Sequence, residues 1–134
     1  MAIYAAFTID QGASFQSTIT IVGSDGLPMI LTGKQVYAQI RKSFSSITYR
    51  SFTCIKISDS LGQVSIELSA QQTSGVVIAG EAASTLLLKP GRYVYDVIVS
   101  DSSTLNITAP ATSISRVLEG QIEVTPSVTR YQIP

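Results

Sequence analysis

Between Phe15 and Val22 the chain reads FQSTITIV, with Phe15, Ser17, Ile19 and Ile21 on one side and Gln16, Thr18 and Thr20 on the other. A period of two is what a half-buried strand requires, because successive side chains leave opposite faces of a pleated backbone. The pattern returns along the chain, each time closed by turn residues. Residues 35–43 (QVYAQIRKS) place Val36, Ala38 and Ile40 inward and Tyr37, Gln39 and Arg41 outward. Residues 51–58 and 63–68 read as a hairpin about Asp59–Gly62, with Val64, Ile66 and Leu68 on the apolar face of its second arm. Residues 92–100 (RYVYDVIVS) follow the turn Lys89-Pro90-Gly91 and are apolar on both faces, as a central strand must be. Residues 114–124 form the last strand, with Leu118, Ile122 and Val124 inward. Seven short strands with turns between them and little helix predict an all-β antiparallel sandwich.

The remaining segments fill in one domain over residues 1–134. Residues 3–9 are β-prone without clean alternation and read as a first strand or arm. Ser24-Asp25-Gly26 makes a turn, where glycine takes a positive φ without steric cost. Ser69-Ala70-Gln71-Gln72 can cap and start a short helix within a crossover spanning 69–88. Residues 101–113 are a long polar loop, and 125–134 an extended tail. The run Pro90-Gly91-Arg92-Tyr93-Val94-Tyr95 puts a tyrosine just after a tight turn at the start of the penultimate strand. In immunoglobulin-like sandwiches a tyrosine so placed ties its hydroxyl to the upstream backbone. Tyr93 also reads as an ordinary core tyrosine. Tyr95 takes the position that a disulfide cysteine holds in antibody domains. The expected fold is therefore an immunoglobulin-like sandwich of about seven strands.

Little in the sequence supports catalysis. Histidine is absent, which removes Ser-His-Asp and Cys-His constellations and the commonest acid–base residue. The single cysteine, Cys54, lies mid-strand in FTCIKI and reads as a small core residue, not an activated thiol. Without histidine and with one cysteine, a zinc site lacks ligands, and the nine acidic residues are scattered rather than clustered for calcium. No enzymatic activity, cofactor or metal is expected. Nine basic and nine acidic residues balance, so no long-range field favours nucleic acid or an anionic membrane. The amino-terminal MAIYAAFTIDQG lacks a signal-peptide pattern, and no apolar run is long enough to span a bilayer. Charged residues make up only 13% of the chain, against a usual share of about 25%. A surface so poor in charge loses little on desolvation, which favours burial against protein partners.

Two candidate contact surfaces follow. If the strands at 35–43, 92–100 and 114–124 are neighbours in one sheet, alternation assigns its outer face to Tyr37, Gln39 and Arg41, to Val94, Asp96 and Ile98, and to Val117, Glu119 and Gln121. Aromatic residues and arginine are enriched at interfaces, and an Arg41–Asp96 or Arg41–Glu119 pair would sit within the patch. The competing readings are a solvated sheet face or one covered by the 69–88 crossover. The chain ends are the second surface. Tyr4, Phe7, Tyr131 and Ile133 are apolar residues on extended ends that could add a strand to a neighbour or exchange between copies.

Five segments taken in order, TIDQGASF (8–15), LTGKQVYAQIRKS (31–43), LGQVSIELSAQQT (61–73), KPGRYVYDVIVSD (89–101) and RVLEGQIEVTPSVTR (116–130), resemble small virion proteins of tailed double-stranded DNA bacteriophages, notably cyanophages. The pattern also resembles the immunoglobulin-like amino-terminal domain of phage baseplate upper proteins. Residues 74–88 and 102–113 are longer than that pattern. The resemblance implies a non-enzymatic virion component, made in the host cytoplasm and present in many copies. Its partners would be other virion proteins and copies of itself, in the tail, baseplate or fibre attachment region, with capsid decoration as the alternative location. A carbohydrate- or receptor-binding adhesin module is a further alternative, although the chain has no tryptophan to serve as a sugar platform.

Overall fold

The computed structural model describes residues 3–23, 25–101 and 114–128. In chain order the strands are β1 (Ile3–Tyr4), β2 (Phe7–Asp10), β3 (Phe15–Thr20), β4 (Gln35–Arg41), β5 (Arg50–Ser51), β6 (Thr53–Ser58), β7 (Gln63–Leu68), β8 (Gly91–Ser100) and β9 (Ile114–Thr125), with a four-residue helix α1 (Ala70–Thr73) between β7 and β8. Seven of the strands have four or more residues. They form two sheets: β9-β8-β4-β5 with both β1 and β2 along the outer side of β9, and β3-β7-β6. All pairings are antiparallel except those of β1 and β2, which run parallel to β9. The two sheets pack as an all-β sandwich, and β8 is the central strand that the sequence predicts.

Inward residues of both sheets make one core. Ile9, Leu31, Ile40, Val64, Ile66, Leu68, Leu88, Val97, Ile122 and Val124 are all but inaccessible. Each such side chain contributes about 1.5–3 kcal/mol relative to an exposed one. Phe7, Phe15, Phe52 and Tyr95 link the sheets through a chain of ring contacts at 5.4–6.0 Å. The Tyr93 hydroxyl donates to the Lys89 carbonyl at 2.6 Å, so the tyrosine corner forms at the turn before β8. Helix α1 starts where the sequence places it. Ser69 accepts from the Gln72 amide, and the Gln72 side chain accepts from the Ser69 amide.

The amino-terminal segment departs from expectation. It forms two short strands, not one, with a break at Ala5–Ala6. The Ala5 amide still reaches the Glu119 carbonyl at 2.9 Å, but the Ala5 carbonyl turns inward and accepts from the Tyr95 hydroxyl at 2.7 Å. This approach needs a glycine at position 120, because a Cβ there would collide with the Ala5 carbonyl. Residues 74–89 run beside β5 as turns, not along a sheet face. Thr85 bridges to Tyr49, the Leu86 amide donates to the Tyr49 carbonyl, and Leu88 enters the core. The expected polar loop lies, beyond Asp101, outside the described residues, as does the tail from Thr129 onward.

Candidate interaction face

Strands β4, β8 and β9 are neighbours, so the register fixes the outer face in three rows. Tyr37 lies opposite Ile98 and Ile98 opposite Arg116. Gln39 lies opposite Asp96 and Asp96 opposite Glu119. Arg41 lies opposite Val94 and Val94 opposite Gln121. The structure thus brings together Tyr37, Gln39, Arg41, Val94, Asp96, Ile98 and Glu119 as alternation predicts. They line a groove of about 410 Å³ together with Phe44 and Arg116. No residue of the 69–88 crossover lines it.

Val117 does not belong to this face. The β8–β9 register shifts between Val97 and Ile98: Val97 pairs with Leu118, but Ile98 pairs with Arg116. The extra residue is a β-bulge, which resets the in–out phase of the strand. Val117 packs against the core and Arg116 takes the outer position. No local signal in ISRVLEG marks the bulge.

The expected pairing of Arg41 is also corrected. Asp96 and Glu119 sit directly opposite each other, an arrangement that costs energy for like charges. Arg116 resolves it, with Nε 3.3 Å from Asp96 and Nη1 3.4 Å from Glu119. Arg41 instead holds the turn after β4. Its Nη1 donates to the Ser46 carbonyl at 2.6 Å, its Nη2 to the Gln39 side chain at 3.1 Å, and its guanidinium stacks 4.8 Å from the Tyr49 ring centroid. Ser43 and Ser46 close the same turn by mutual hydrogen bonds. The turn so braced presents Phe44, 85% exposed, at the groove and Ile47, 88% exposed, beside it. An aromatic in the serine-rich run KSFSS, with no alternation to bury it, was the available signal for Phe44.

The chain-end candidates divide. Tyr4 is exposed and sits beside Glu119 on β9. Phe7 instead packs against the core, its ring held between those of Phe15 and Tyr95, because it lies three residues from Tyr4 in an unbroken register with β9 and so points to the opposite face. Tyr131 and Ile133 lie outside the described residues.

Elsewhere, burial pushes the Cys54 thiol up to about 11, so it is a protonated, weakly nucleophilic group at neutral pH. Lys56, on the same face of β6, donates to the Leu31 and Lys34 carbonyls at 3.2 and 2.9 Å. Among the described residues no three His, Cys, Asp or Glu side chains gather to hold a metal ion, and no helix is long and apolar enough to cross a membrane. Comparison with protein-family models and with curated proteins finds no match for this chain.

Proposed function

We propose that this chain is a non-enzymatic structural subunit of a tailed bacteriophage virion, docking on other virion proteins through the outer face of β4, β8 and β9. The observation that carries the docking reading is the groove itself. Val94 and Ile98 give it an apolar floor, Phe44 an exposed aromatic rim, and Arg116 bridges the two acids within it, with Arg41 supplying the second positive charge. Two cations and two anions balance on this face, and each has a polar partner, which lowers the cost of desolvating it against another protein. The virion assignment is supported by the five ordered segments that resemble phage structural proteins. The tail, baseplate or fibre attachment region is the proposed location, with capsid decoration as the alternative. Many copies on a symmetric particle would convert modest single contacts into firm attachment.

The test is mass spectrometry and cryo-microscopy of purified virions, with the wild-type chain and with Phe44→Asp. Phe44 is so exposed that the substitution should leave thermal melting unchanged while removing the chain from the particle. Absence of the wild-type chain from virions overturns the assignment. Normal incorporation of Phe44→Asp overturns the docking face.

A further inference from the structure

Strands at sheet edges present unpaired backbone groups, and folded chains usually guard them. The edges of this sandwich are guarded unequally. In the larger sheet, β5 has two residues and the amino-terminal edge is broken into β1 and β2. In the smaller sheet, β6 has a register break between Lys56 and Ser58 and carries Lys56 on its inward side. Strand β3 has none of these devices. Its six residues, FQSTIT, contain no charge, proline or glycine, and its register with β7 is unbroken from Phe15↔Leu68 to Thr20↔Gln63. Among the described residues β3 pairs with β7 alone. None of the described residues takes the place beside it, which a first strand fills in immunoglobulin sandwiches, because β1 and β2 have gone to β9.

The backbone phase of this open edge can be worked out. The Ile21 amide donates to the Gly62 carbonyl at 2.8 Å, toward the β7 side. With a period of two, the backbone groups of Ile19, Ser17 and Phe15 also face β7, and those of Gln16, Thr18 and Thr20 face outward. Any added strand must therefore bond to Gln16, Thr18 and Thr20. The inward side chains Phe15, Ser17 and Ile19 are only half-buried, so the core is incompletely covered along this edge.

We propose that β3 is a self-association edge: two copies pair β3 to β3, antiparallel about a two-fold axis at Ser17, joining two three-stranded sheets into one of six. This register satisfies every constraint above. Gln16 of each copy exchanges hydrogen bonds with Thr18 of the other, and the two Ser17 residues meet in a narrow non-bonded pair. Phe15 meets Ile19 of the second copy on the inward side, covering apolar surface that one copy leaves half-open. No like charges oppose, since β3 carries none. Shifting the axis to Thr18 would set Phe15 against Ile21, which is already buried at the strand's end. A six-residue edge falls below the roughly 1,200 Å² of a stable complex, so the pairing is weak in dilute solution and strengthens where copies are held side by side. It is independent of the virion reading, since it concerns the purified chain alone.

The experiment is sedimentation velocity of the purified full chain across a concentration series, with disulfide trapping as a register test. The wild type should show a reversible monomer–dimer equilibrium. Thr18→Lys and Thr18→Pro should weaken the dimer by about tenfold or more, a loss of ~1.4 kcal/mol in association, with circular dichroism verifying that each variant is folded. In a Cys54→Ala background, Ser17→Cys should oxidise to a covalent dimer, because a narrow antiparallel pair sets Cα atoms about 4.5 Å apart, within disulfide range. Ser60→Cys, exposed at the β6–β7 turn, is the control. A wild type that stays monomeric at millimolar concentration overturns the proposal. So does a folded Thr18→Lys that dimerises like the wild type, or Ser17→Cys trapping no better than Ser60→Cys.

Discussion

Replacing Glu81 by alanine should destabilise the protein well beyond the usual cost of changing a partly exposed charged residue. Glu81 closes a two-pronged ion pair with Arg50, with Nη1–Oε2 at 2.8 Å and Nη2–Oε1 at 2.9 Å. The Arg50 side chain is 2% exposed and the Glu81 side chain 25%. The only other bond to the guanidinium among those described is Nε to the Leu86 carbonyl at 3.0 Å. Glu81→Ala therefore orphans a buried cation and loosens the segment that carries Leu86 and Leu88 into place. Breaking a fully buried pair costs about 3–5 kcal/mol. Water can reach the Glu81 side, so the expected loss is roughly 2–3 kcal/mol. With an unfolding entropy of about 2.1 cal/mol/K per residue over 134 residues, the melting temperature should fall by roughly 7–11 °C. Urea titration followed by circular dichroism measures the loss directly. Hydrogen exchange should show faster opening at Leu86, whose amide bonds to Tyr49. Replacing both partners, Arg50→Met with Glu81→Leu, should recover most of the loss, because no charge is then left buried. A Glu81→Ala protein that melts within about 2 °C of the wild type would refute the reasoning. A double variant no better than the single one would trace the loss to packing instead of the orphaned charge.

Gly120→Ala should cost roughly 2–3 kcal/mol in urea, because the new Cβ meets Ala5 backbone and the Tyr95–Ala5 bond is lost as the strand moves away. Tyr93→Phe keeps the ring under Lys42 but deletes the 2.6 Å bond to Lys89, and a loss of about 1–1.5 kcal/mol is expected from the same titration. Stability should fall in alkali. Burial raises the Cys54 thiol from its ordinary 9.0 to about 11, and burial also raises Tyr93 and, with a smaller contribution from Tyr4, Tyr95. Acids with raised folded pKa values contribute stability that is full below their unfolded values and is lost as pH rises through the folded ones. Urea midpoints should hold near neutrality and decline from about pH 9 upward, and Cys54→Ala should remove the earliest part of that decline.

The strands of this protein are legible one by one. Alternation in FQSTIT, QVYAQIR and QVSIEL is a local property, because the pleat imposes a period of two wherever one face is buried and the other wet. The cap at Ser69 and the corner at Tyr93 are local for the same reason, since each bonds to backbone within four residues. From these pieces the sandwich, the central place of β8 and seven of the groove residues follow. The remainder depends on which distant atoms arrive. Arg41 has two acids across the sheet, yet it bonds to Ser46 and Tyr49, because the turn after β4 folds back onto it. That leaves Asp96 and Glu119 to Arg116, which only a bulge at Val117 brings to the outer face. Phe7 and Tyr4 look alike as apolar residues of one arm. They part because they stand three residues apart. One register runs against β9 from Ile3↔Leu118 to Asp10↔Thr125, so the same alternation turns Phe7 toward the core and Tyr4 away from it. Between them the Ala5 carbonyl tips over Gly120 to meet Tyr95, ninety residues away in sequence. A period-two pattern cannot foresee where its own phase will break. Bulges and ion-pair choices are settled by neighbours far along the chain, and with them the composition of the groove.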